Sequence, residues 1–482
     1  MDSQELGIGA TQHDGPQHEG QQQLQNDEDA WTMNPANPWN WSTGKKAVHM
    51  VMLSCSALLA SIGTSVMSPA RSQIMEEFHV SSPVALLPLS LYVLALGLGS
   101  IVGSPLSETV GRHPVYLGTV PLGAVFTLGA GFTHNFGALC FLRFMAGFCW
   151  APVLATAAGS LSDLFAPRAR GPPSAIFILM PFLGPGLGPV IGSFLVVEKS
   201  WRWTQWTLLF LAAACIIVTA FTKETMHHLI QERAAGKANK HEGAATTSVS
   251  RPKLSEFVTI ALVRPVHMLV SEPIVAMIAL YVSAEFGTLF SFFAGVPYTF
   301  ARVYGFPLHH SGLVFLSIVI GCLLGLVTII LCDTLLYRKK AQTYASHEVP
   351  PELRLFPAML GSVGLPVGLF WFAWTAKADV SWASPAAAMI PFAWGNLCVF
   401  VATIQYMSDT YPGRIVASAA SANTLARYGF AAVFPLFTIQ MYETLGIAWA
   451  TSLLGFVALA LMPIPWCFYR FGPTIRARSR YT

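Results

Sequence analysis

Charge is scarce in this chain. Only 11% of its 482 residues are Asp, Glu, Lys or Arg, while 54% are hydrophobic. Soluble domains carry about 25% charged residues, so a water-soluble globular protein is excluded. The eight cysteines, Cys55, Cys140, Cys149, Cys215, Cys322, Cys332, Cys398 and Cys467, fall in or at the ends of apolar runs and never as Cys-x-x-Cys. Neither a disulfide framework nor a zinc site is indicated. No His-Glu-x-x-His, phosphate-binding loop or Gly-x-Ser-x-Gly string is present, and His309-His310 has no Cys or carboxylate at ligand spacing. Enzymatic catalysis, metals and cofactors are therefore not expected, and without a nucleotide site any pumping has to draw on an ion gradient. The first forty residues lack an apolar stretch, so a cleavable signal is not expected either. Large β-barrels would show short alternating segments, and these are missing too.

What the sequence has instead is long apolar runs. A bilayer core of about 30 Å needs roughly 20 apolar residues per helix. Twelve runs meet this, near 46–68, 84–105, 115–133, 136–160, 172–196, 203–222, 272–298, 311–332, 354–375, 384–407, 416–440 and 444–468. The expected fold is an all-α polytopic membrane protein with twelve transmembrane helices in two pseudo-symmetric six-helix bundles. The expected division is a disordered cytoplasmic tail over 1–44, an N-terminal bundle over 45–222, a cytoplasmic linker over 223–270, a C-terminal bundle over 271–468 and a basic tail over 469–482. With the N-terminus in the cytoplasm, 21 of the 28 Lys and Arg residues face inward; Arg71, Lys199, Arg202, Arg302 and Lys377 face outward, and Arg143 and Arg427 lie within spans. That bias places both termini in the cytoplasm. The net charge of +4 reflects these loops, and no nucleic-acid partner is implied.

The segment from Gly103 to Leu117 reads as a polar hinge between the second and third spans. Gly103 and Gly111 are expected to give the turn its backbone freedom, with Pro105 and Pro114 where helices stop and restart. Glu108 and Arg112 are expected to form a releasable latch with neighbouring helix ends. A degenerate copy, Asp333-Thr334 with Tyr337-Arg338-Lys339-Lys340, follows the eighth span, and a second repeat links the exits of spans four and ten: Asp163 to Arg168, and Asp409 to Arg414. The chain therefore reads as a duplication.

Three charged residues interrupt the spans. Glu285 is the one carboxylate within them, accompanied by Arg143 and Arg427. Burying a guanidinium in a span costs at least about 2.5 kcal/mol, so these residues should face a polar interior or partners. The expectation is that Glu285 and Arg143 share a central cavity, with Arg427, Asn396, Gln405 and Asn423 contributing to a mixed pocket. A neutral, hydrogen-bonded core acid is the alternative for Glu285. Two buried cations against one acid suit an anionic or neutral amphiphile better than a polyamine. In the fifth span Gly184-Pro185-Gly186-Leu187-Gly188-Pro189 runs on to Gly192, and glycines 184, 188 and 192 form one small-residue face for close packing.

Several of these strings resemble the major facilitator superfamily. The loop resembles its second-to-third-span motif in Leu106, Glu108, Gly111 and Arg112, with His113 where Arg or Lys is usual. Arg143 with Gly147 is similar to its fourth-span motif, which implies a part in proton coupling. Gly184-Pro185-x-x-Gly188 resembles the antiporter-branch motif at the interface between halves. Pro38-Trp39-Asn40-Trp41-Ser42, Glu224-Thr225 with Lys223 in place of Pro, and Arg427 in the eleventh span resemble the fungal drug:proton antiporters. The resemblance implies a monomeric, proton-coupled exporter of a small organic molecule in the plasma membrane, working by alternating access. Uptake, or a non-transporting nutrient sensor on the same fold, is the alternative.

Overall fold

The computed structural model describes residues 30–166, 169, 171–242, 263–344, 349–411 and 413–479, and every described element is helical. Eleven helices are long and apolar enough to cross a membrane. The last, Ile415–Arg476, contains Gly446 at φ 76° and ψ 157°, a conformation that breaks a helix and that glycine adopts without strain. The break divides it into two spans, giving the twelve expected.

The first six spans are α1 Thr43–Ile62, α2 Leu87–Val110, α3 Arg112–Phe132, α4 Phe136–Leu164, α5 Gly171–Glu198 and α6 Arg202–Ala220. The second six are α7 Pro273–Tyr304, α8 Leu316–Leu331, α9 Phe356–Thr375, α10 Ala383–Thr410, and α11 and α12 on either side of Gly446 within Gly413–Leu461. Packing partners repeat with an offset of six. In the first half α2 packs on α4, α3 on α4, α1 on α5 and α3 on α6. In the second, α8 packs on α10 and α9 on α10. Gly287 and Gly295 of α7 meet Phe434 and Tyr442 of α11, and Gly455 of α12 meets Phe370 of α9. Two six-helix bundles built on one plan follow from these pairings.

Glycines set many of the close crossings, because in an apolar solvent helices associate through packing more than through burial. A Cβ at Gly103 would press on Pro152 of α4, so this residue belongs to the α2–α4 crossing. Pro105 also lies inside α2, which runs unbroken to Val110. The expected hinge thus shrinks to one residue, Gly111, at φ 106°, between the end of α2 and the start of α3.

Part of the segment expected as a disordered tail, 30–44, is ordered. From Ala30 the chain is placed, and Asn37 is fully buried, bonding through Nδ2 to the Trp31 carbonyl and accepting from the Trp39 amide. Residues 1–29, linker residues 243–262 and residues 480–482 lie outside the described residues. At the other terminus the helix Ile464–Arg476 carries the chain past the last span.

Candidate functional site

Charged residues gather at one end of the bundle, termed here the latch end. Arg112 opens α3, and its Nε lies 3.3 Å from Asp163 Oδ2 at the exit of α4. Its Nη1 donates to Ser107 Oγ at 2.6 Å, and the guanidinium lies over Gly159, where any side chain would collide with it. Glu108 is exposed and takes no part in this cluster. The acid that joins instead is Glu224, just after α6. Its two oxygens accept the backbone N–H groups of Arg112 and His113 at 3.0 and 3.2 Å, and Oε1 also accepts from Thr225 and Met226. A carboxylate on the first N–H groups of a helix satisfies orphan donors and complements the helix dipole. The sequence signal was the Glu224-Thr225 string, whose partner in the second-to-third-span turn no spacing reveals.

The N-terminal segment reaches the same place. Trp31 Nε1–H donates to His227 Nδ1 at 3.2 Å; since indole is a donor only, the imidazole proton sits on Nε2 and is given to the Asp163 carbonyl at 2.7 Å. Trp39 adds a 3.4 Å bond to the Ser162 carbonyl.

In the second half Asp409, at the exit of α10, accepts from Arg354 Nε at 2.8 Å. Arg354 also lies 3.6 Å from Asp333 and stacks on Tyr337 at 3.7 Å. Arg338 bonds Asp333 at 2.9 Å, but its side chain is 58% exposed. Arg354 lies two residues before α9 as Arg112 begins α3, so Arg354 holds the position that the sequence assigned to Arg338. Arg168 and the side chain of Arg414 lie outside the described residues.

Between the halves at this end is a cavity of about 870 Å³. Ser174, Ile178 and Leu179 of α5 form one wall; Asp333, Arg338, Arg354 and Gln405 stand on the other. At the opposite end the halves touch around a smaller cavity of about 420 Å³ beside Arg71 and Tyr298: a Cβ at Gly312, just before α8, would overlap Ser193 of α5, and Ser68–Ala70 packs on α7. There Arg202 bonds Glu77 through both guanidinium nitrogens at 2.9 and 2.6 Å, and Trp201 Nε1 donates to Glu77 at 2.6 Å. The Arg202 bonds foremost, helped by Trp201, hold the Glu77 carboxyl below its usual pKa.

The charged residues of the spans do not form the expected pair. Arg143 is fully buried within the first half, donating to the Gly63 carbonyl and facing the Tyr92 ring at 4.2 Å. Gly63 ends α1, so its carbonyl is available. No ion pair joins Arg143 to Glu285 among the described residues. Glu285, 4% exposed in α7, has no hydrogen-bond partner on either oxygen, and neither polar atom of the Asn396 amide in α10 has one. Arg427 of α11 sits in an aromatic cage, 4.7 Å from Phe286 and from Phe400 and 4.6 Å from Tyr428. Asn423 Oδ1, one turn away, is also unpartnered. Of this group Gln405 lines the 870 Å³ cavity.

The fifth-span motif faces two ways, its three spaced glycines toward the first span and Gly186 and Pro189 toward the second half. Side chains at Gly184 and Gly188 would overlap Ser61 of α1 and Ser65 just beyond it, and one at Gly192 would overlap the Val66 carbonyl, all within the first half. Gly186, on the other face, meets Phe315 and Val319 beside and in α8. Pro185 has no N–H for the Pro181 carbonyl four residues earlier, and Ser61 Oγ donates to that carbonyl instead. Ser65 Oγ bonds the Gly184 carbonyl at 3.0 Å. Pro189 contributes its carbonyl to the close contact with Gly312.

Known proteins match this arrangement along nearly the whole chain. Residues 53–435 match the sequence profile of the Major Facilitator Superfamily. Polyamine transporter 4 of Saccharomyces cerevisiae is 36% identical over 93% of this chain and 72% of its own length. A major facilitator superfamily multidrug transporter of Aspergillus fumigatus is 38% identical over 94% of this chain and 75% of its own. Fluconazole resistance protein 1 of Saccharomyces cerevisiae is 36% identical over 93% and 83%. With two bundles of one plan, a cavity between them and a profile match over most of its length, this chain belongs to the major facilitator superfamily and is a secondary transporter.

Proposed function

We propose that this transporter exports a neutral or anionic amphiphilic small molecule in exchange for protons, as a monomer in the plasma membrane with both termini in the cytoplasm. The observation that carries the proposal is the 870 Å³ cavity between the halves at the latch end, set against direct contacts and a cavity of only about 420 Å³ at the opposite end. The latch end takes the cytoplasmic side because the basic loops cluster there. A cavity on that side is the loading state of an exporter. The name of the Aspergillus fumigatus relative as a multidrug transporter supports the direction.

The apolar α5 wall and the polar α8–α10 wall suit an amphiphile. Arg427 in its aromatic cage offers a cation to an anionic group and ring faces to an apolar one. A polycation finds Arg143 and Arg427 against it, although one relative is named a polyamine transporter. Glu285 is the proposed proton site, Arg143 and Arg427 set the charge of the path, and Asn396, Asn423 and Gln405 supply polar contacts along it. The latch pairs act as gates, because they tie the ends of α3 to α4 and of α9 to α10.

The test is efflux from cells that carry or lack the gene, with extracellular metabolites profiled and the proton gradient collapsed by an ionophore. Loss of a defined amphiphile from the medium of deleted cells, with ionophore-sensitive export, is expected. Faster intracellular accumulation of a compound in carrying cells would reverse the direction.

A further inference from the structure

The C-terminal tail is fastened to the latch end through two buried carboxylates. Arg476 at the end of the tail helix lies 3.0 Å from Glu352 Oε1, in the connection before α9. Three residues on, Ser479 Oγ donates to Glu272 Oε2 at 2.6 Å. Glu272 precedes α7 and is 1% exposed; the same oxygen accepts from Tyr411 Oη at 3.2 Å, at the exit of α10. One serine hydroxyl therefore joins the tail to the entry of α7 and the exit of α10, two residues after the gating Asp409.

The sequence around it is Arg476-Ala477-Arg478-Ser479-Arg480, with arginines three before, one before and one after the serine. Kinases that read charge patterns with acidic pockets select such surroundings. We propose that Ser479 is a phosphorylation site whose modification releases the tail from Glu272. ATP and a basophilic serine/threonine kinase supply the step. Ser479 Oγ attacks the γ-phosphorus, the new O–P bond replaces the bond to ADP, and the hydroxyl proton leaves to the kinase base. The product has lost the donor that bound Glu272 and carries about −1.5 to −2 charge beside that carboxylate, so the docked geometry becomes repulsive. Access of the kinase comes when the chain after the helix opens locally. The proposal rests on the cytoplasmic placement of the latch end, where ATP and kinases are found.

The test treats the purified full-length transporter with ATP and a basophilic serine/threonine kinase, followed by peptide mass spectrometry and limited trypsin digestion. Phosphate on Ser479 is expected, absent from Ser479→Ala, with cleavage after Arg476 about tenfold faster once phosphorylated. Glu272→Ala, which removes both the acceptor and the charge, should loosen the tail of the unmodified protein and reduce the further acceleration by phosphate. If the Glu272→Ala variant, whose serine has lost that acceptor, accepts no phosphate at Ser479, the site is overturned. Phosphorylation without faster cleavage overturns the release. Tail cleavage by trypsin added outside intact cells removes the cytoplasmic placement and with it the kinase's access, a failure that the purified-protein arm distinguishes from the others.

Discussion

Arg354 Nε lies 2.8 Å from Asp409 Oδ2, and the pair occupies in the second bundle the place that Arg112 and Asp163 hold in the first. Each ties the start of an odd-numbered span to the exit of the next. The two are not equally embedded: the Arg112 and Asp163 side chains are 13% and 17% exposed, against 24% and 38% for Arg354 and Asp409.

Charge exchange tests these links directly. Arg112→Asp and Asp163→Arg should each reduce transport strongly, and the double variant should recover part of it, with a coupling of about 0.5–3 kcal/mol. Arg354→Asp with Asp409→Arg should behave alike but more weakly, and Arg338→Asp, on an exposed side chain, should cost least. Transport at matched surface expression is the measurement. Equal losses for Arg338 and Arg354 would remove Arg354 as the counterpart of Arg112.

Spacing in the sequence reached the duplicated plan and marked Arg112 and Asp163 as charged residues at helix ends, because apolar run length and short local motifs encode both. It missed Arg354. Residues 332–355 intervene between α8 and α9, whereas Gly111 alone separates α2 from α3, so the Asp333-to-Arg338 spacing imitated a local turn that the second half does not have. Gly103 was misread for a related reason: a glycine in a polar stretch looks like a hinge until its contact, Pro152 on another helix, is known. Glu224 and the docked segment around Trp31 bind across more than 100 residues, beyond any periodicity.

The serine that replaces a missing backbone donor yields a stability test. Ser61→Ala leaves the Pro181 carbonyl without its side-chain donor, and an unsatisfied buried polar group costs about 1–3 kcal/mol. Pro185→Ala restores the N–H at that turn. Thermal unfolding in detergent should therefore show a clear loss for Ser61→Ala in the native background and a smaller loss when Pro185→Ala is present. Equal losses in both backgrounds would separate Ser61 from the proline.

Glu77 links stability to pH at the end opposite the latch. Its carboxyl is held below the usual value by Arg202 and Trp201, so its contribution is fully present above the unfolded carboxylate pKa of about 4.3 and is lost as pH falls through the lower folded value. The pair is partly exposed, and its worth is at most about 1 kcal/mol. Glu77→Gln should lower the melting temperature at neutral pH, with a difference from the native protein that shrinks below about pH 4. A difference that grows in acid would contradict the assignment.

Glu285 carries the last and most consequential test. A buried carboxyl with no partner on either oxygen is costly, and nothing in the present arrangement offsets that cost. Arg143, the expected partner, is committed to the Gly63 carbonyl and the Tyr92 ring. The compensation therefore has to come from a bound substrate, a proton, or a second conformation of the bundles, and each of these is what an exchange cycle supplies. Glutamine keeps the shape and removes the titrating group. In inverted vesicles Glu285→Gln should abolish accumulation driven by a pH gradient, while substrate counterflow, which needs no proton, persists. Arg427→Ala, which opens the aromatic cage, should weaken both for an anionic substrate. Should Glu285→Gln keep the native rate and the native pH profile, the proton has another carrier. The latch-end carboxylates Asp163, Asp409 and Glu108 are then next to be tested, Asp163 first because it is less exposed than Asp409 or Glu108.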